Sequence, residues 1–190
     1  MRHTISVLVE NEFGVLARVA GLFSGRAFNI ESLSVAETLD PTVSRITLVT
    51  HGDDQVLAQV ERQLEKLVPV IKVTDFTETP HVERELVLIK VAADDKTRSE
   101  LLNIVDVFRA KVVDVSRKSY VVEVTGAEEK INALIELLKP IGITEIVRTG
   151  KVAIARGPKT RLRKVEERLG KAREAARPTA DDPRVVGFAD

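Results

Sequence analysis

Apolar and polar residues alternate along positions 5–9 of the chain, and this period of two predicts a half-buried β-strand. Beyond Glu10 the period changes to that of a helix, with apolar residues at positions 15, 16, 19, 22 and 23. The pattern continues to residue 78 and predicts six elements in the order β-α-β-β-α-β. They are strand 3–10, helix 14–26, strand 28–37, strand 43–51, helix 53–67 and strand 70–77.

The second half of the chain repeats this order after a polar, proline-containing segment at 77–81. The predicted elements are strand 83–92, helix 95–109, strand 111–117, strand 119–125, helix 126–138 and strand 142–149, with a short strand at 152–155. We therefore predict an α+β fold of two tandem ferredoxin-like domains, 1–78 and 82–157, each with right-handed crossovers. Each domain leaves a sheet face or an edge strand without a partner, which favours homo-oligomerisation.

Basic residues dominate the chain after Gly157, and the apolar stripe there is thin. The pattern predicts a basic helical extension and a disordered tail over 158–190. Three roles are open for it: a solvated helix, a docking segment for an acidic partner, or a nucleic-acid contact. The first two are favoured, and the sequence does not assign the role.

The 190 residues include 29 basic and 29 acidic side chains, so the net charge favours no nucleic-acid partner. Aromatic residues are only 4%, which leaves few platforms for stacking bases. There is no cysteine, and therefore no disulfide, cysteine zinc site or thiol nucleophile. No segment approaches the roughly 20 apolar residues of a membrane span. We expect a cytoplasmic protein with neither a nucleic-acid nor a membrane partner.

The turn between the first strand and the first helix carries the candidate chemistry. A helix start offers unpaired N–H groups and a positive dipole end, which attract a carboxylate or phosphate. Asn11 adds a neutral amide, and Gly14 allows close backbone approach. Each residue taken alone has a simpler explanation, because Asn is a frequent helix cap and Gly a frequent turn residue. No glycine-rich phosphate motif follows the strand, so a single carboxylate fits better.

Other polar residues indicate structural roles. His3, His51 and His81 are expected to be solvated, and we predict no metal site. Two acidic pairs precede helices, where carboxylates cap the first turn; they are Asp53 with Asp54 and Asp94 with Asp95. No arrangement typical of a catalytic centre stands out, so no catalytic residue is predicted.

Residues 8–23, followed by residues 28–33, resemble the opening of an ACT domain. Residues 40–47, 63–68 and 81–86 then resemble the regulatory small subunit of acetolactate (acetohydroxyacid) synthase. The resemblance runs from Met1 to about Gly157 and keeps the order and spacing of every block, but it does not extend to the basic segment.

The resemblance implies a chain with no catalytic centre and no cofactor of its own. It would activate a catalytic large subunit, which carries thiamine diphosphate, magnesium and FAD, in branched-chain amino-acid biosynthesis. It would also impose feedback inhibition by valine or a related branched-chain amino acid. The first domain, 1–78, would be an ACT domain that binds this effector and forms a homodimer.

In this family, effector sites lie where two ACT domains meet, and Asn11, Gly14, Asn29 and Ile30 match the family positions. The effector carboxylate would bind the first-turn N–H groups, and backbone carbonyls at the start of the second strand could receive its ammonium group. An aliphatic side chain could lie against Val15, Leu16 and Ile30. A hydrophobic pocket separates valine from isoleucine by only about 1–3 kcal/mol, so the effectors cannot be ranked.

Three alternatives belong to other functional classes. A stand-alone ACT-type sensor would control another enzyme or a transcription factor. An acylphosphatase-like enzyme would need an arginine in a glycine-rich loop, whereas residues 10–12 are Glu-Asn-Glu. RNA recognition on the sheet face would need aromatic residues that the predicted central strands lack.

Overall fold

The computed structural model describes residues 1–25, 28–77, 79–94 and 96–157, without the side chains of residues 54 and 56. Residues Met1–Arg156 form one compact unit. The predicted basic extension, 158–190, lies outside the described residues. None of the helices in the described ranges is long and apolar enough to cross a membrane.

The first half of the chain folds into an antiparallel sheet with two helices. The elements are β1 (Arg2–Glu10), α1 (Val15–Ser24), β2 (Ile30–Glu37), β3 (Val43–His51), α2 (Asp54–Leu64) and β4 (Val70–Asp75). The strand order is β2-β3-β1-β4, so β1 and β3 are central while β2 and β4 are edges.

The helices of this first domain pack on one face of the sheet. Alternate side chains of β1, namely Ile5, Val7 and Val9, meet Val19 and Phe23 of α1 in a buried cluster. The amphipathic period seen in the sequence therefore marks the residues that bury this face. At the start of α2, the Asp53 carboxylate accepts a hydrogen bond from the Gln55 backbone N–H at 2.8 Å, as the sequence predicts.

The second half repeats the arrangement. Its elements are β5 (His81–Ala92), α3 (Arg98–Val107), β6 (Lys111–Val115), β7 (Ser119–Gly126), α4 (Glu128–Leu138), β8 (Ile143–Arg148) and β9 (Val152–Ala155). The strand order is β6-β7-β5-β8, and β9 pairs with the first four residues of β5. A separate buried cluster, which includes Val87, Ile89 and Leu134, lies between this sheet and its helices.

The α+β prediction of two ferredoxin-like units is confirmed. The principal differences are at helix ends, where the structure is shorter than the sequence pattern. Helix α3 begins at Arg98 because the Asp94 carboxylate accepts the N–H groups of Lys96 and Thr97, which holds these two residues in a turn before the helix. These bonds also lower the pKa of Asp94.

Candidate functional site

Asn11 joins the turn before α1 to the far end of β2. Its backbone N–H donates to Thr42 O at 2.7 Å. Its side-chain amide donates to Glu37 Oε1 at 3.1 Å and to Pro41 O at 3.0 Å. The cap position of α1 belongs to Gly14, so the simpler reading of Asn11 as the helix cap is wrong.

Gly14 lets the chain enter α1 in a conformation that other residues rarely adopt. Its φ is +80° and its ψ is −1°, and its carbonyl accepts the Arg18 N–H at 3.1 Å. No side chain in the described part of the chain caps this helix start. A Cβ at position 14 would meet no atom within 4 Å. The Val15 N–H makes a long bond of 3.5 Å to Glu12 O, and the other first-turn N–H groups lie beside open space, which suits an anion.

The two residues after Gly14 point in different directions. Val15 is buried in the core of the first domain. Leu16 is 41% exposed. The side chain of Leu16 can therefore contact a ligand or a second chain. The side chain of Val15 anchors the start of the helix to the core.

Ile30 begins β2 at the other end of the sheet, and Asn29 directly precedes it. The Asn29 carbonyl accepts a hydrogen bond from Thr50 Oγ1 at 2.8 Å, and Ile30 packs half-buried against the core. One of the carbonyls expected to receive an ammonium group thus already has a partner.

Within one chain these two groups of residues do not meet. Strand β2 pairs with β3 from Ile30 opposite Thr50 to Glu37 opposite Ser44. Asn11 contacts the Glu37 end, whereas Asn29 precedes the Ile30 end. At about 3.3 Å per residue, the seven steps between Ile30 and Glu37 span roughly 23 Å. A single small ligand can contact both groups only if they come from different chains.

Exposed apolar side chains cluster around the Asn11 end of β2. Phe13 and Leu39 are fully exposed, and Leu16 and Val35 are more than two-fifths exposed. Strand β2 is also a sheet edge, with one side free to pair. Exposed apolar side chains beside a free strand edge are typical of a protein–protein interface.

A second polar cluster links the first domain to the second; we call Arg2, Glu31, Glu83, Glu128 and Lys151 the junction. Lys151 is 8% exposed, and its Nζ lies 2.8 Å from Glu128 Oε2 and 3.0 Å from Glu83 Oε1. Arg2 pairs with Glu128 and, at 2.5 Å, with Glu31 Oε1. Burial alone would raise the pKa of Glu128, but the hydrogen bonds from Lys151 and Arg2 outweigh it and lower that pKa.

A polar cavity of about 280 Å³ borders the junction. Its lining includes Arg148, which holds the buried Glu85 through two hydrogen bonds of 2.9 and 2.6 Å. At its rim, Gly150 has a φ of +81°, and a Cβ there would lie 3.4 Å from Ser32 Cβ. Sequence reasoning missed this contact between domains, because the paired residues are up to 126 positions apart.

Two of the three histidines differ from the expected solvated environment. His81 is only 23% exposed, with its Nδ1 2.8 Å from Thr79 O and its ring 5.1 Å from that of Phe76. His51 is exposed, but His3 is buried beside Asp75 Oδ2 at 3.2 Å and Thr77 Oγ1 at 2.9 Å. The expectation of a solvated His3 is therefore wrong, because both faces of β1 are covered. Across the described ranges, no group of three or more His, Cys, Asp or Glu side chains could hold a metal ion.

Comparisons with known proteins place this geometry in a family. The family described as "AHAS small subunit-like ACT domain" matches residues 5–72, and that described as "Small subunit of acetolactate synthase" matches residues 84–157.

Individual relatives agree. A "Probable acetolactate synthase small subunit" of Archaeoglobus fulgidus is 55% identical, over 84% of this chain and 99% of the relative. The acetolactate synthase small subunit of Aquifex aeolicus is 56% identical, over 82% of this chain and 81% of the relative. The crystal structure of that subunit from Thermotoga maritima has a TM-score of 0.75 at 43% identity, and the match covers 83% of this chain and 99% of the other.

Proposed function

The chain belongs to the family of acetolactate synthase small subunits, and from that membership we propose that it is a non-catalytic regulatory subunit. It activates a catalytic large subunit that carries thiamine diphosphate, magnesium and FAD, and it imposes feedback inhibition by valine or another branched-chain amino acid. It does so in branched-chain amino-acid biosynthesis in the cytoplasm. Residues 1–78 serve as the ACT domain, which binds the effector and dimerises, and residues 82–157 as the C-terminal domain.

One observation supports effector binding most. Asn11 and Asn29, which match the family's effector positions, lie at opposite ends of β2. In an antiparallel pair of two copies of this eight-residue strand, Ile30 of one copy lies opposite Glu37 of the other. Asn11 contacts Glu37. Full-length pairing therefore brings Asn29 and Ile30 of one copy to the α1 start of its partner. The two-fold axis would make two identical pockets.

The chemistry of each pocket suits a zwitterionic aliphatic amino acid. The uncapped start of α1 can bind the carboxylate. Leu16 from one copy and Ile30 from the other offer apolar contact to an aliphatic side chain. Since neither copy alone has all these groups, effector binding and dimerisation are linked.

We predict that Asn29→His weakens effector binding about tenfold, because the larger ring takes space in the pocket and replaces the amide. Isothermal titration calorimetry of the full chain with valine, leucine and isoleucine measures the effect. The same change at Asn103, an exposed residue of α3, is the matched control and should leave affinity unchanged.

Mixing two defective variants tests whether the pocket is shared between copies. In a heterodimer of Gly14→Asp and Asn29→His chains, one pocket carries both changes and the other carries neither. After random subunit exchange, half the dimers are mixed, so about a quarter of all sites should bind effector at wild-type affinity. Verified heterodimers that recover no binding would show that the pocket is not built from Gly14 and Asn29 of different copies.

The alternative of a stand-alone ACT-type sensor makes a different prediction about partners. Regulation of acetolactate synthase requires a thiamine-diphosphate enzyme to co-purify with this chain. A sensor of another system would co-purify with a different enzyme or with a transcription factor.

A further inference from the structure

Glu37 is an exposed glutamate at the end of β2. The Asn11 amide donates to Glu37 Oε1. In the described part of the chain, no lysine, arginine or histidine nitrogen lies within ion-pairing distance of this carboxylate. By contrast, Glu31, Glu83, Glu85 and Glu128 all contact basic side chains. Glu37 is thus oriented by a neutral group, and no basic side chain that the structure describes compensates its charge.

Further hydrogen bonds fix the Asn11 side chain and the turn that follows Glu37. Both N–H groups of the Asn11 amide are engaged, one by Glu37 and one by Pro41 O. The Asp40 carboxylate accepts the Thr42 N–H at 2.9 Å and the Thr42 hydroxyl at 2.6 Å, which stabilises the turn around Pro41. Asn11 and Glu37 can still accept hydrogen bonds from a ligand through their oxygen atoms. The Glu37 carboxylate alone has about four lone-pair sites.

The place of these acceptors matches the charge pattern of an amino acid. Asn11 lies three residues before Gly14, where the start of α1 offers donors for a carboxylate. A free amino acid carries its ammonium group one carbon from its carboxylate. Donors at the start of α1 and the Glu37 carboxylate beside Asn11 therefore complement both charges of a zwitterion.

We propose, on the basis of the proposed function above, that Glu37 binds the ammonium group of the effector and so selects amino acids over acids that lack it. The 2-oxo and 2-hydroxy acids with the same carbon skeleton have the same side chain and carboxylate as the amino acid. Their carboxylate could bind the start of α1, and their side chain could contact Leu16 and Ile30, as well as those of the amino acid do. They would leave the Glu37 carboxylate without a cation. A 2-oxo group would face it as a second acceptor, and a 2-hydroxyl could donate only one neutral hydrogen bond, which is weaker than the charge-assisted bond of an ammonium group.

The test compares two ligands that differ only in this group. Calorimetry of the full chain measures L-valine against L-2-hydroxy-3-methylbutanoate, for the wild type, Glu37→Gln and Glu12→Gln. Glu12 is an exposed glutamate next to Asn11 in the turn before α1, and its substitution changes the net charge equally. We expect the wild type and Glu12→Gln to prefer valine. Glu37→Gln should lose about tenfold or more of valine affinity while its affinity for the hydroxy acid is unchanged or higher.

Two results would overturn the assignment of Glu37. One is a Glu37→Gln variant that binds valine as the wild type does. The other is equal loss of both ligands, which would show that Glu37 only supports the turn through Asn11. A wild type that binds none of valine, leucine and isoleucine would overturn the proposed effector function itself, together with this inference.

Discussion

Gly14→Asp should abolish valine inhibition of the reconstituted enzyme while leaving activation of the large subunit intact. The backbone at position 14 has a positive φ that Asp tolerates better than most residues, and a Cβ there meets no atom within 4 Å. The chain should therefore fold. The added carboxylate lies at the helix start where the effector carboxylate would bind, and repulsion between the two should reduce affinity by about 100-fold or more.

Gly14→Asn is the matched control for this experiment. Asn has nearly the same size as Asp and tolerates the same backbone conformation, but it carries no charge. The asparagine variant should keep part of its valine sensitivity, and the difference between the two variants isolates the effect of charge. A Gly14→Asp holoenzyme with full valine sensitivity would refute the assignment of the effector carboxylate to this helix start.

Glu128→Gln should destabilise the chain by about 2–3 kcal/mol. Among the residues that the structure describes, the variant leaves Lys151, which is 8% exposed, with Glu83 as its remaining acidic partner, and Arg2 with Glu31. Removing one member of a fully buried ion pair costs about 3–5 kcal/mol. The value expected here is smaller because the Glu128 side chain is 25% exposed. Urea denaturation followed by circular dichroism measures the change.

The control for the junction is Glu129→Gln, an exposed neighbour in the same first turn of α4. It should change stability by less than about 0.5 kcal/mol. Equal effects of the two substitutions would show that the junction contributes nothing beyond surface charge.

The effect of Glu128 should depend on pH in a defined direction. Its pKa is lower in the folded chain than its ordinary value of 4.5. The ionised group therefore contributes stability above that value, and the contribution is lost as the pH falls through the folded-state pKa. The stability difference between the wild type and Glu128→Gln should accordingly shrink as the pH falls below about 4.5.

Local sequence patterns predict most of this fold because each element has a clear period and its own stop signals. Strand β1 follows from the apolar run before Glu10, and α2 follows from Asp53 as its cap. The turn at Gly14 is also visible in the sequence, since a glycine precedes a helix-spaced apolar run. These signals involve residues close in sequence, so they can be read without the tertiary structure.

Contacts between distant parts of the chain could not be predicted in the same way. The pairing of Arg2 with Glu128 depends on how two domains pack, and no local pattern marks either residue. The burial of His3 depends likewise on what covers the second face of β1. For Glu37, the strand end and the nearby Asn11 were both visible, but their contact required the sheet register.

The most direct test of the regulatory role uses the purified large subunit from the same organism. Acetolactate formation is measured while this chain is added to saturation, first without and then with valine, leucine or isoleucine. We predict that activity rises to a plateau as the chain is added, and that at least one of these amino acids lowers the plateau for the wild type but not for Gly14→Asp. A large subunit whose activity does not respond to the chain would contradict the proposed function.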